Sequence, residues 1–462
     1  MKKLNKAVNL VLAVMLLVSS LAGCGAEKTS GDGNVSLRVG NWPDKTQAKD
    51  LETKELQLAK MNEKYPEIEI IPDTYKYDTK TFTLKASANQ LPDIYNTWFT
   101  ETNMLIEQGY AADITDALIE HKLIDAINPE LLEMVKDENG RIYGIPTEAY
   151  AQGLLINKSL FREAGLVNED GSIKVPDTYQ ELAEYSKIIN EKTGAAGLIL
   201  PTTENYGGWH FVNIAWSYGV NFMEQNKDGK WIATFNTPEA VAALQYVKDL
   251  KWKYNALHAN NTINGGDTYR LWGIGQGAML ISTPINNVKS YEMENDDVMM
   301  VKLPAGPKGR YAQMGGSVYM FAPDSTPEQI DAGIKWLGVC GMGAEFDEAS
   351  VESRVASYKT QAEQGYIITG KTAMPVWVSE ERIKRGEEIA APFVNVDMKN
   401  YESYFGFEGV TIRAEDPKCC QQLYSVLDKC IQEVITNENA DCAALIEQAC
   451  SDFQLNHLDK ED

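Results

Sequence analysis

From Val35 onward, short apolar runs alternate with stretches of helical periodicity. The pattern predicts a strand over 35–39, a helix over about 46–64, a strand over 68–71, a helix near 79–88 and a strand over 93–97. Strand, helix, strand, helix, strand is how a doubly wound sheet begins, so the predicted class is α/β with largely parallel sheets. Later helices carry legible starts. Thr178 with Glu181 forms a capping box, and Thr237-Pro238 and Thr326-Pro327 put a capping hydroxyl before a proline that needs no amide partner in the first turn. Asn139-Gly140, Asp170-Gly171 and Asp228-Gly229 predict hairpins, because both residue types tolerate positive φ.

The first residues follow a different pattern. Lys2, Lys3 and Lys6 precede an apolar run from Ala7 to Val18, interrupted by Asn9 and closed by Ser19 and Ser20. A membrane span needs about 20 apolar residues. Residues 1–23 therefore read as a cleaved secretory signal. Leu21-Ala22-Gly23-Cys24 resembles the bacterial lipobox, which implies that Cys24 is lipidated and becomes the mature N-terminus. Residues 24–34, rich in Gly, Ser and Thr, read as a flexible tether.

Charge narrows the partners. With 43 Lys and Arg against 66 Asp and Glu, the net charge is −23, and removing the three signal lysines takes it to −26. Such a surface repels phosphate backbones and anionic headgroups, so no nucleic acid is expected and membrane contact comes through the lipid alone. The 462 residues, 44% hydrophobic, suffice for two lobes. After Cys24, six cysteines remain (Cys340, Cys419, Cys420, Cys430, Cys442 and Cys450), compatible with disulfides and equally with buried small apolar side chains. There is no CxxC, and His121, His210, His258 and His457 are scattered, so neither a metal nor a cofactor is expected.

Several segments, in order, are similar to the family 1 extracellular solute-binding proteins of the multiple-sugar and maltose type. Gly144-Ile145-Pro146, Leu154 to Lys158 and Leu160 to Leu166 resemble the first crossing between lobes. Pro176 to Leu182 and Phe235 to Ala240 resemble later helix starts, and Gly275 to Met279 resembles the start of the second crossing. Leu303 to Pro307 and Gly315-Gly316-Ser317 complete the series. The segment 341–462 departs from the pattern. The resemblance implies a two-lobe, type II periplasmic-binding-protein-like fold, two doubly wound sheets joined by hinge strands. It also implies a monomer without catalysis that holds a carbohydrate, an oligosaccharide, in the cleft and delivers it to the permease subunits of an ABC importer. The expected lobes are 35–147 plus 277–312, and 148–276 plus 313–462.

Sugars present apolar C–H faces ringed by hydroxyls, so a binder needs flat aromatic platforms with amides and carboxylates beside them. The candidates are Trp42 after the first strand, Asn96 and Trp98 at the third, and Glu148 and Tyr150 at the first crossing. The loop Asn205 to Trp209, Asn286, and Gly316-Ser317 with Tyr319 complete the set. Trp42 and Trp209 stand out because each lies beside turn residues, whereas Trp216 sits in an apolar run and should pack. Gly365 to Thr372 matches the phosphate-loop expression GxxxxGK[ST], but polar helical sequence precedes it and Pro375 follows it, so the strand and helix that loop requires are not supported. Replacing Lys371 is accordingly expected to change solute affinity by no more than about twofold. Two alternatives stay open: the same scaffold binding a polyamine or phosphorylated polyol, and a surface polysaccharide-degrading enzyme, which would need only two carboxylates.

Overall fold

Strands β1 (Val35–Val39), β2 (Ile68–Pro72) and β3 (Ile94–Trp98) fall within a residue of the expected positions. The computed structural model describes residues 34–284, 288, 291 and 293–460. The expected signal, Cys24, the tether up to residue 33 and Asn286 lie outside the described residues. β1 pairs in parallel with both β2 and β3, and the helices Ala48–Lys64 and Phe82–Ser87 make the crossovers. Leu37 and Val39 are buried, the period-2 signature of a strand packed on one face.

The chain leaves this sheet through β4 (Gly144–Ala151), and after the single residue Gln152 it begins β5 (Gly153–Asn157) of a second sheet. That sheet also contains β6 (Ala196–Ile199), and nearby β7 (Met223–Gln225) and β8 (Trp231–Ala233) form a separate hairpin. β9 (Gly277–Ser282) and β10 (Val298–Val301) complete the order β10-β5-β9-β6. β11 (Tyr311–Phe321) then returns to the first sheet, with β12 (Thr411–Arg413) at its margin, giving β12-β11-β3-β1-β2 with β4 paired on β11. These are two α/β lobes of the type II two-lobe fold.

Pairing corrects the expected division of the lobes. Gly277–Ser282 lies inside the second sheet, between β5 and β6, so it is no crossing; the chain crosses back between β10 and β11. Residues 277–301 therefore belong with 153–276. Residues 314–340 and 374–377 pack in the first lobe's core, whereas Tyr401, Tyr404 and 420–458 pack in the second lobe. The apolar pattern marks a strand but not its partner, and the partner decides the lobe. β4 and β11 cross together: Ala151 and Ala312 are buried in the second lobe, while Ala149 and Met314 are buried in the first.

Thr178 and Thr326 make full capping boxes, and Thr237 caps the amide of Ala240 with Pro238 in the first turn. The three expected turns all form, and only their glycines use positive φ, at 77°, 84° and 80° for Gly140, Gly171 and Gly229. Cys340 sits in the first core and Cys420, Cys430, Cys442 and Cys450 in the second, as buried thiols rather than bridges. Burial pushes the Cys430 thiol up to about 12.

Candidate functional site

β4, β11 and β3 build the floor between the lobes. Ser317 of β11 lies opposite Trp98 of β3 on one side and Glu148 of β4 on the other, so the three project from one face of the sheet. A bulge makes Thr147 an extra residue on β4, which bends the strand where Glu148 and Tyr150 turn toward the cleft. Pro146 is tolerated there because β4 is an edge strand whose outer side is bridged only at Ala149, to Met374, among the described residues. Gly315 opposes Tyr150, and a Cβ on it would meet the Tyr150 hydroxyl at 2.7 Å. One on Gly316 would lie 2.2 Å from Glu148 O. Side chains at either position would displace the floor.

Above this floor a narrow cavity of about 170 Å³ opens between the lobes. Trp98 and Phe99 face it from the first lobe, and Tyr206, Trp209, Glu415 and Tyr424 from the second. Trp98 is 45% exposed and Tyr206 39%, so each leaves open ring surface beside this cavity. Tyr77 meets Trp98 edge-on at 5.3 Å and is fixed by donating its hydroxyl to Glu101 Oε2 at 2.6 Å. Tyr206 and Trp209 stand at 87° to each other.

Local chemistry explains the second lobe's wall. Tyr206–Tyr218 is a helix whose first turn has exposed amides, and Asp428, from the helix Cys420–Thr436, accepts from the amides of Asn205 and Gly208 at 2.7 Å each. The two helices can meet this closely because Gly208 has no Cβ; one would come within 2.4 Å of Tyr424 Cα. Gln421 and Tyr424, three residues apart on this helix, line the cavity, and Asp428, one turn further on, holds the neighbouring helix start. Tyr424 Oη donates to Glu415 Oε1 at 2.9 Å, and Gln313 Nε2 reaches the same oxygen at 3.3 Å. Glu415 Oε2 is buried and accepts nothing from the described residues, so a solute hydroxyl reaching it would complete its hydrogen bonding.

Burial pushes Glu415 up to about 8, against the opposing hydrogen bond from Tyr424 and with the negative charges of Glu101 and Asp416 adding to the rise. Asp416 is pushed up to about 6, again chiefly by burial. Both folded-state values exceed those of exposed carboxylates, so the stabilisation each gives is complete below the unfolded value and is lost as pH rises through the folded one. The melting temperature of the unliganded protein is expected to fall between about pH 5 and 8, and Glu415→Gln to flatten that fall. Thermal melts of both forms across the range check this; parallel slopes would show that Glu415 does not carry the dependence.

A second, wider cavity of about 590 Å³ adjoins the first, with Tyr150 lining both. Glu148 lies on its floor, open to solvent yet closely walled, and desolvation raises its carboxyl while Arg354 opposes the rise. Thus Trp98, Glu148, Tyr150, Trp209 and Gly316 come together as expected. Ser317 shares the cleft face of the sheet but lines neither cavity. Asn96 donates to Val318 O at 3.2 Å and binds β3 to β11 instead. Tyr319 is core. Trp42 is core too, 4% exposed and stacked on Trp336. The turn beside it, with Asn41 at φ 60°, folds the ring back into the lobe instead of presenting it. The segment Gly365 to Thr372 follows the helix Glu348–Glu363 and precedes no helix until Glu380, so it is not a phosphate loop. Lys371, expected to be irrelevant to the solute, lines the wide cavity. Glu415, Gln421 and Tyr424 were not anticipated; their only trace was the helical spacing of the last two.

The sequence model of the bacterial extracellular solute-binding proteins matches residues 45–339. A putative binding protein of Brucella abortus is 26% identical over 266 residues, 56% of this chain and 61% of that one. The arabinooligosaccharide-binding protein of Bacillus subtilis is 26% identical over 259 residues, 54% of this chain and 55% of that one. The chain thus spans less than two-thirds of the length of either relative. Among solved structures, maltose-bound MalE3 of T. maritima superposes with a TM-score of 0.66 at 21% identity, covering 91% of this chain and 100% of that one. That likeness concerns the fold.

Proposed function

Because this chain belongs to the bacterial extracellular solute-binding protein family, we propose that it is the solute-binding subunit of an ABC importer and that its solute is an oligosaccharide. One observation carries the choice of solute: exposed aromatic rings, Trp98 and Tyr206 with Trp209, converge from both lobes on a cavity that also presents Glu415 and Gln421. Rings take the C–H faces of a sugar, and the carboxyl and amide take its hydroxyls. The arabinooligosaccharide-binding relative supports this reading. β4 and β11, the two strands that cross between lobes, let the lobes close by changing few backbone angles, and closure is what a permease would recognise. The subunit acts without catalysis and is held at the outer face of the membrane through lipid on Cys24.

Thermal shift of the full chain against neutral oligosaccharides, spermidine and glycerol phosphate tests the solute class. A sugar at a hundred times its Kd is expected to add about 2.7 kcal/mol of stability, the others little. Stabilisation by spermidine or glycerol phosphate alone would replace the carbohydrate reading, and release of reducing ends from a polysaccharide would replace the transport one. For the anchor, Cys24→Ala is expected to move the protein from the membrane fraction to the medium or to an uncleaved precursor. A processed chain still retained on the membrane would rule out lipid on Cys24.

A further inference from the structure

The wide cavity is chemically unlike the narrow one. Arg354, Lys371 and Arg382 line it, with Glu148 and Glu387 as the acidic residues on the same wall. In a chain of net charge −23, three cations against two carboxylates is a local reversal of sign. Most other arginines are paired, Arg38, Arg141, Arg162 and Arg310 each with an aspartate, while Arg413 packs over the Trp216 ring. Arg354 and Arg382 have no such carboxylate partner among the described residues.

Both guanidinium groups are nevertheless held in place. Arg354 donates Nη2 to the Tyr358 hydroxyl at 2.8 Å and lies over that ring, 4.8 Å from its centre. Arg382 lies 3.3 Å from the centre of the Phe346 ring and donates Nε and Nη2 to the carbonyls of Gly343 and Gly341, each at 3.1 Å. Nη1 of each has no protein acceptor among the described residues. Burial, with the neighbouring charge of Arg354, pushes Arg382 down to about 10, so the two like charges press on each other in a partly dry wall. Glu148 attracts Arg354 without closing an ion pair on it. Planar, fixed, unpaired guanidinium groups in a solute cleft are the donors that match a carboxylate or another oxyanion. Lys371 adds a third charge from the segment that mimics a phosphate loop in letters only.

We propose that the solute is an acidic oligosaccharide, with a sugar ring held between the aromatic side chains of the narrow cavity and a carboxylate-bearing unit reaching Arg354, Arg382 and Lys371 in the wide one. Tyr150, shared by both cavities, marks where the two units join. This rests on the carbohydrate reading above and specifies its charge. The chain's overall negative field disfavours anions at long range, so the selectivity comes from short-range contacts inside the cleft.

Calorimetric titration of the full chain with a 1,4-linked di-uronate, its neutral dihexose counterpart and inorganic phosphate tests it. The di-uronate is expected to bind on the order of tenfold or more tighter than the dihexose, since charge-assisted hydrogen bonds are the stronger kind. Arg354→Gln combined with Lys371→Gln is expected to remove most of that preference while leaving dihexose affinity unchanged; Arg382 is spared because it also caps two carbonyls. Equal or tighter binding of the dihexose would overturn the acidic assignment and leave the carbohydrate reading standing. Binding of neither sugar would end both. Phosphate bound as tightly as the di-uronate, or a double variant that weakens both sugars alike, would show an anion site or a packing role and overturn the proposal.

Discussion

Replacing Trp42 by alanine is expected to destabilise the protein by about 3–5 kcal/mol, the cost of emptying a buried tryptophan site. Trp42 is 4% exposed and stacks at 5.7 Å and 20° on Trp336, which is fully buried in the helix Pro327–Leu337. Lys54 lies over both rings, 5.9 and 5.2 Å from their centres, and so covers the pair on the solvent side. Alanine would leave a void that this framework cannot fill, because Trp42 N is fixed to Asp73 O and Asn41 N to Tyr75 O. Denaturant unfolding followed through the first lobe measures the loss, and titration of the surviving folded protein is expected to return unchanged solute affinity. Lower affinity at unchanged stability would return Trp42 to the cleft.

Trp209→Ala is expected to do the opposite. Stacking of a ring on an aromatic platform contributes about 1–3 kcal/mol, so affinity should fall roughly tenfold or more. Trp209 is half-buried and packs beside the second core, so some stability goes with it. Trp98→Ala gives the cleaner comparison, since that ring is 45% exposed and supports little beyond its edge contact with Tyr77. The two substitutions are expected to weaken binding by similar factors, and Trp98→Ala to leave the melting temperature of the unliganded protein unchanged. Scattering from the saturated protein should show less compaction for either variant, because closure needs both lobes on one solute. Affinity preserved in both variants would remove the aromatic walls from the site.

The contrast between Trp42 and Trp209 shows where a turn signal stops being informative. Both tryptophans lie beside turn residues, and only the direction of the turn separates them. At Asn41 the chain bends back over its own lobe; at Glu204 and Asn205, with φ of 58° and 71°, it opens a helix whose first residues face the other lobe. The lobe boundaries failed for a related reason. Gly277–Ser282 reads as a buried strand, and it is one, but its neighbours β5 and β6 come from 120 and 80 residues away, or thereabouts, along a chain whose local pattern is silent on pairing.

What the sequence by itself determined was local. Strand and helix positions, the threonine caps, the glycine turns and the order of family segments up to about residue 340 each depend on residues a few positions apart, where periodicity and capping chemistry act directly. Tertiary structure alone decided which strands share a sheet, which tryptophan faces the cleft, and that Glu415, Tyr424, Arg354 and Arg382 belong to it. Those residues come from the segment that departs from the family pattern, and their spacing to the cleft is set by helix packing across hundreds of residues. A carboxylate pushed up to about 8 and two cleft arginines without acidic partners among the described residues are properties of an environment, created only when distant segments exclude water from the same place.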